Sequence, residues 1–234
     1  MLRSIDCMHW KWEKCPIAWH GMYTGHCREP TIILEVVASQ DLWIWHAFFG
    51  LPGSLNDINV LDRSPIFAAL AEGRIAPVNY TINEHEYTMG YYLADRIYPN
   101  WSTFVKTIPR PLEEKKKYFA SKQESVRKDV ERAFRVLQSP CAIVRGPIRY
   151  WDEEMLTYIM KACIIMNNMI IEDEGAMNLG FDHEHKVNSF ISVSHGEIPE
   201  LHDFPQTHCR TLPRSRRRGD PSFVAGIDVG VFLL

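Results

Sequence analysis

One decapeptide organises the chain: Gly90-Tyr91-Tyr92-Leu93-Ala94-Asp95-Arg96-Ile97-Tyr98-Pro99. Its apolar and aromatic residues predict a strand that ends at Asp95, and the Tyr-Pro pair stops the strand shortly afterwards. A strand that ends in Asp places a carboxylate at the rim of a sheet, where the backbone fixes it and solvent reaches it. Divalent ions that act on phosphates require carboxylates held in this way.

Two further acidic residues fit the same rim. Asp6 follows the strand-like start of Arg3-Ser4-Ile5-Asp6-Cys7-Met8, and Glu131 lies in the helical stretch Arg127–Phe134. On a helical wheel Glu131 is about 120° from the apolar stripe, so it is free to point along the edge of the sheet. The competing interpretation is three surface acids among 29 acidic residues, because acids at strand ends are common.

Composition describes a globular chain with room for one core and a tail. The 234 residues are 46% hydrophobic and 24% charged, with a net charge of −3. Because the chain is not basic overall, contact with nucleic acid must come from local patches. The six scattered cysteines predict a reducing intracellular compartment, and the apolar runs near 32–38 and 163–171 are too short to span a bilayer.

Alternating strand and helix patterns predict an α/β fold. The predicted strands cover 31–38, 42–49 and 91–95, and the predicted helices cover 55–61 with Ser54 as N-cap, 113–138 and 152–172. Residues 9–29 form a hairpin-like excursion or loop, 73–88 a connecting hairpin, and 141–147 a short strand or extended segment. Periodicity fades near Gly175, so 175–234 is predicted to be a poorly ordered tail.

Several sequence words resemble the transposase domain of PIF/Harbinger-type DNA transposons, in particular the plant branch known as plant transposon proteins. They occur in the family's order over residues 1 to about 174 and are Ser4–Trp10, Pro30–Glu35, Ser39–Gly50, Asn56–Leu61, Tyr91–Asp95, Arg127–Phe134 and Ile143–Pro147. So many words in one order are far more specific than a single short motif.

The resemblance implies a ribonuclease-H-like fold over 1–174, with a central mixed sheet flanked by helices. Asp6, Asp95 and Glu131 match the family's catalytic and metal-ligating triad, and the implied cofactor is Mg²⁺ or Mn²⁺. The implied chemistry is attack of water, then of a DNA 3′-hydroxyl, on a phosphodiester. Asp57 matches a candidate accessory acid, although a first-turn helix acid looks the same. Arg145 matches a candidate phosphate contact, with a surface salt bridge as the alternative.

The chain also departs from the family pattern. Arg3, Arg96 and Arg135 stand where the family has Gly, Asn167-Asn168 replaces His-Asn, and the upstream DNA-binding region is expected to be absent. These departures favour a second interpretation, a catalytically inactive truncated or domesticated remnant that acts as a DNA or protein interaction module.

Partners and location follow from the resemblance. DNA is the expected substrate, a Myb-like protein the expected partner, and the nucleus the expected location, with the cytoplasm second. We expect no membrane and no small-molecule substrate. The irregular Cys and His spacing between Cys7 and Cys27 gives little support to a zinc site.

Overall fold

The computed structural model of the chain describes residues 3–74, 79–82, 84–88, 90–181 and 227–228. It is a mixed α/β structure, as predicted. The strands are β1 (Arg3–Lys11), β2 (Thr31–Ser39), β3 (Ile44–Pro52), β4 (Tyr80–Ile82), β5 (His85–Tyr87), β6 (Tyr92–Leu93), β7 (Phe104–Val105) and β8 (Ile227–Asp228). The helices are α1 (His20–Tyr23), α2 (Asp57–Leu61), α3 (Pro65–Ala71), α4 (Glu114–Arg127), α5 (Asp129–Gln138), α6 (Ala142–Arg145) and α7 (Glu153–Phe181), and a 3₁₀ turn spans Ile17–Trp19.

The central sheet has the strand order β7-β6-β1-β2-β3-β8. Strands β1, β2 and β3 form an antiparallel meander, whereas β6 is parallel to β1 and β7 is parallel to β6. The separate pair β4–β5 confirms the hairpin predicted within 73–88. The mixed sheet therefore joins elements that are distant in the sequence around its first strand.

Helices cover both faces of this sheet, which explains why β2 is buried along its whole length. On one face α5 and α7 pack on alternate residues of the first three strands, among them Trp10, Leu34 and Val36. On the other face the short helices α2 and α3 cover Ile5, Val37 and Ile33. The core consequently has two layers, with the sheet between them.

Several predicted boundaries need correction. Strand β3, which was predicted to begin at Leu42, begins at Ile44, because Leu42 adopts a positive φ of 71° in the turn after β2. Helix α2, which was predicted over 55–61, begins at Asp57. Its N-cap is Asn56, whose side chain accepts a hydrogen bond from the Asn59 amide, so the predicted Ser54 cap was wrong. Residues 142–145 form the helical turn α6, not a strand.

The long helix predicted over 113–138 is divided at Lys128 into α4 and α5. The division lets α5 lay its apolar stripe (Val130, Ala133, Phe134 and Leu137) on the meander, while α4 packs on β1 and β6. Asp129, almost fully buried, opens α5 and pairs with Arg132 at 2.6 Å. No Pro or Gly marks the break, so hydrophobic periodicity could not have shown it.

The last helix extends well beyond the predicted end near residue 172. By length and composition alone Glu153–Glu174 could cross a membrane, but the buried side chains Leu156, Met160 and Cys163 belong to the core, and core helices of soluble proteins pass the same test. Asn168 of α7 bonds both backbone groups of Ile44, at 3.1 Å and 2.8 Å. Of the predicted tail, 182–226 and 229–234 lie outside the described residues, and Ile227–Asp228 pairs with β3.

The close packing around Gly53 predicts a severe substitution at this residue. A Cβ on Gly53 would overlap Thr31 Oγ1 and approach the Thr31 and Tyr23 carbonyl oxygens to 2.7 and 2.8 Å. We therefore expect Gly53→Ala to lower the free energy of unfolding by about 2 kcal/mol or more. Gly21 in α1 has open space around it and provides the matched control. Urea denaturation should leave Gly21→Ala within about 0.5 kcal/mol of wild type, and an equal effect of both substitutions would contradict the account.

Candidate active site

Parallel pairing of β1 and β6 brings together the two aspartates that the sequence singled out. Arg3 pairs with Tyr92 and Ser4 with Leu93, so the same register continued by two residues places Asp6 level with Asp95. Because side chains alternate between the faces of a sheet, the Asp6 carboxylate lies on the same face as Ser4, which is the face that α4 covers. The Ser4 hydroxyl, on that face, donates to the Val126 carbonyl of α4 at 3.0 Å.

Each aspartate is oriented by its own backbone. Asp6 Oδ1 accepts a hydrogen bond from the Cys7 amide at 2.9 Å, and Asp95 Oδ1 accepts one from the Arg96 amide at 2.6 Å. These bonds occupy one oxygen of each carboxylate and restrict its rotation. Asp6 is half-buried, whereas Asp95 is exposed, because β6 ends two residues before it.

Glu131 approaches from the first turn of α5 and is held by an arginine. Arg127 Nη2 lies 3.2 Å from Glu131 Oε1 and 2.8 Å from Glu124 Oε1, and its Nε also donates to Glu124. The carboxylates of Glu124, Asp6 and Asp95 all raise the pKa of Arg127, and the main cause is the hydrogen bonding that Arg127 donates to Glu124. The guanidinium therefore lies among the carboxylates and balances their charge.

Asp6 has the electrostatics of a crowded acid. Its pKa is raised to about 6, mainly by burial and in part by the charges of Asp57 and Glu131, against the opposing effects of the Cys7 amide and the Arg127 charge. The pKa of Asp57 is also raised, mainly by burial and in part by the charge of Asp95. The charges of all four acids are thus felt within one cluster, defined as Asp6, Asp57, Asp95 and Glu131 and called the carboxylate cluster below.

The shifted pKa predicts a pH-dependent effect of Asp6→Asn. Because the folded state favours the neutral form of Asp6, wild type loses stability as pH rises from about 4 to about 6. Asp6→Asn, which is neutral at this position at every pH, does not lose stability in this way. We expect the free energy of unfolding of Asp6→Asn to exceed that of wild type by about 2 kcal/mol at pH 8 in the presence of a chelator, and to equal that of wild type at pH 4. Urea denaturation at both pH values measures this, with the exposed Asp62→Asn as control. A gain that is equal at both pH values would contradict it.

Other predicted residues lie elsewhere. Arg145 is exposed at the end of α6, where the next carbonyl, of Gly146, accepts the Trp10 indole N–H at 2.8 Å. Trp10 is four residues, about 13 Å of strand, from Asp6, so the structure does not bring Arg145 into the cluster. The Arg3 guanidinium stacks 4.2 Å from the centroid of the Trp45 ring. Arg3 is one of the departures from the family pattern, and through this contact it affects the site only indirectly.

Sequence reasoning missed two participants. Arg127 is four residues before Glu131, a spacing that allows an ion pair on a helix, but its position among the aspartates depends on tertiary packing. Tyr98, almost fully buried, meets Cys7 with its hydroxyl 3.7 Å from the thiol sulfur. Burial, together with the charges of Glu35 and Asp57, holds the pKa of the Cys7 thiol well above its usual value, so this thiol is not a nucleophile.

A buried Ser-His-Glu group could be mistaken for a nucleophilic triad. Ser64 Oγ donates to Glu35 Oε1 at 2.6 Å, and His46 Nε2 lies 3.2 Å from the same hydroxyl and 3.4 Å from the carboxylate. All three side chains are at most 1% exposed, so no substrate can reach the serine. The hydroxyl is bonded directly to the carboxylate. The group is a structural polar cluster.

The donor set of the carboxylate cluster consists of hard oxygen ligands, which are the ligands that Mg²⁺ and Mn²⁺ prefer. Within the part of the chain that the structure describes, no three His, Cys, Asp or Glu side chains lie close enough together to hold one ion. At the carboxylate cluster, the guanidinium of Arg127 pairs with Glu131 at 3.2 Å. The residues therefore fit a divalent ion in ligand type, but their side chains are not grouped closely enough here to hold one.

Comparison with known proteins adds one finding. A family model described as plant transposon protein matches residues 1–178. No curated protein and no solved structure matches the chain.

Proposed function

Because the chain belongs to the plant transposon protein family, we propose that it carries a transposase-derived nuclease domain of the Harbinger type. Its reaction is divalent-ion-dependent hydrolysis of a phosphodiester in DNA, followed by strand transfer through a DNA 3′-hydroxyl. A Myb-like partner supplies specific DNA binding and nuclear import in this proposal.

One observation carries the proposal: the parallel register of β1 and β6, which, when continued by two residues, would set Asp6 level with Asp95. The two residues are 89 positions apart, and each ends or interrupts an apolar strand. Functional carboxylates need this combination of a rigid backbone and an accessible rim. Glu131 and Asp57 add acids from helices on the two sides of the sheet.

The strand order supports a ribonuclease-H-like fold for this domain. An antiparallel meander of three strands is followed by two short strands, each parallel to its neighbour on the side of β1. In that arrangement the first strand and the fourth strand of the central sheet are adjacent. Asp6 belongs to the first of these strands, and Asp95 follows the end of the other by two residues, which is compatible with the proposal.

Each residue of the site has a distinct task in this reaction. Asp6, Asp95 and Glu131 would hold Mg²⁺ or Mn²⁺, which when bound polarises the phosphate and activates the attacking oxygen. Asp57 adds negative charge that favours cation binding. Arg127 moves toward Glu124, which already binds it, and from there its guanidinium can pair with a phosphate oxygen of the DNA.

The second candidate function is an inactive remnant that binds DNA or protein. The ion pair between Arg127 and Glu131 favours it, because a guanidinium that stays among the carboxylates replaces the metal. The two candidates differ in their response to metal. If the site is a nuclease site, addition of Mn²⁺ at pH 7.5 raises the melting temperature of the protein. If the cluster is neutralised by arginine, the melting temperature does not change.

The proposal is tested by incubating the purified protein with supercoiled plasmid. We expect nicked circles to accumulate with Mg²⁺ or Mn²⁺ and not with a chelator. Folded protein that yields no nicked DNA with either ion, and no rise in melting temperature, would reject the nuclease and favour the remnant.

A further inference from the structure

A second concave site lies beside the carboxylate cluster. It is a cavity of ≈ 780 Å³ between the β4–β5 hairpin, the β6–β7 edge of the sheet and α4. Its volume falls within the range of small-molecule and cofactor sites. We call it the edge cavity and define it by the aromatic side chains Tyr80, Tyr87, Tyr91 and Phe119 together with Lys122 and Gln123.

Aromatic faces dominate the edge cavity and are open to solvent. Phe119 is 50% exposed and Tyr87 44% exposed, and the Tyr80 and Tyr87 rings stack with centroids 5.4 Å apart. Large exposed aromatic side chains grouped in a concave surface are unusual in a folded domain. They provide planar surfaces on which a flat ring can stack.

One polar atom in the wall lacks a partner. Gln123 is 6% exposed, and among the described residues its Oε1 has no hydrogen bond. Buried amide oxygens almost always have a partner, so this oxygen is free to accept a hydrogen bond from water or from a ligand in the cavity. The neighbouring Lys122 adds a positive charge to the same wall.

Two residues that line the edge cavity lie close in the chain to contacts of the carboxylate cluster. Leu93 lines the cavity and lies two residues, about 7 Å of extended chain, before Asp95. Val126 also lines it, and its carbonyl bonds Ser4, two residues before Asp6. Lys122 and Arg127 are five residues apart on α4, so one cation lies in the cavity wall and another lies at the carboxylate cluster.

From these features we propose that the edge cavity holds an unpaired nucleobase of the DNA strand whose phosphate enters the carboxylate cluster. The base stacks on Phe119 and the tyrosines, its N–H group donates to Gln123 Oε1, and Lys122 pairs with the adjacent phosphate. Aromatic stacking of this kind holds single-stranded DNA with little sequence preference. The inference rests on the proposed function, because it takes DNA to be the substrate.

Binding without metal separates this inference from nuclease activity. The full chain in a chelator is titrated into a twelve-nucleotide single strand containing 2-aminopurine, and into the same sequence as a blunt duplex. We expect quenched fluorescence and at least tenfold tighter binding for the single strand. Phe119→Ala should raise the Kd about tenfold or more. Tyr158→Ala, which removes an exposed tyrosine from α7 outside the cavity, should leave the Kd unchanged.

Two further arms identify the contacts. A twelve-nucleotide strand that is abasic at every position, followed by competition, should bind wild type as weakly as the intact strand binds Phe119→Ala. Gln123→Leu should weaken binding of the intact strand and leave binding of the abasic strand unaffected. Circular dichroism confirms that each variant is folded, which is expected for the half-exposed Phe119.

Equal binding of single strand and duplex, or an unchanged Kd for folded Phe119→Ala, would overturn the inference. Tenfold tighter binding of the corresponding RNA strand would assign the cavity to RNA and overturn it as well. Base binding that persists in a protein unable to nick DNA would contradict the nuclease proposal alone. Nicking without base binding would contradict this inference alone.

Discussion

The Asp95→Asn variant should nick DNA at least about 100-fold more slowly than wild type. Substitutions in the outer shell of metal sites commonly cost 10- to 100-fold, and loss of a ligand costs more. The Asn side chain keeps an oxygen that can accept the hydrogen bond from the Arg96 amide. The substitution therefore preserves the local turn while it removes the negative charge. Initial rates on supercoiled plasmid at saturating Mn²⁺ measure the effect.

Asp173→Asn supplies the control for that loss. Asp173 is an exposed aspartate on α7, remote from the sheet rim, so the substitution removes the same charge and should keep the wild-type rate. Nicking by Asp95→Asn within about threefold of wild type would show that the activity does not use this carboxylate.

The second large effect concerns the polar cluster under α3. Glu35→Ala should lower the free energy of unfolding by about 3–5 kcal/mol. The substitution removes a fully buried carboxylate that accepts from Ser64 and lies 3.4 Å from His46 Nε2, and the Ser64 hydroxyl loses this acceptor. Urea denaturation at pH 7.5 measures the loss.

Simultaneous replacement of the whole cluster provides the control. Glu35→Leu combined with His46→Leu and Ser64→Ala replaces all three polar side chains of the cluster by apolar ones, so it should recover most of the stability lost in Glu35→Ala. A loss below about 1 kcal/mol in the single variant would show that water replaces the carboxylate.

The sequence predicted elements whose pattern is local. The β-branched run of β2 and the apolar helix α7 were both found, because burial on two faces leaves a nearly continuous apolar run. It did not predict the break at Lys128, since the turn carries no Gly or Pro. It also missed the helical turn of α6, whose apolar residues fit a short strand equally well.

The site shows the same limit more sharply. Asp6 and Asp95 were singled out by their position at strand ends and by family resemblance. Their pairing depends on a parallel contact of only two residue pairs, which leaves no mark in either segment. Arg127 was visible as a helical neighbour of Glu131, but its interaction with Asp6 follows from the docking of α4 on β1, which no local pattern encodes.

The carboxylate cluster as a site for divalent ions is tested most directly by diffraction from crystals soaked in Mn²⁺, using the anomalous signal of the metal. We expect an anomalous peak about 2.0–2.3 Å from carboxylate oxygens of both Asp6 and Asp95, with Arg127 turned toward Glu124. Absence of a peak there at millimolar Mn²⁺, with Arg127 still bonded to Glu131, would contradict the account.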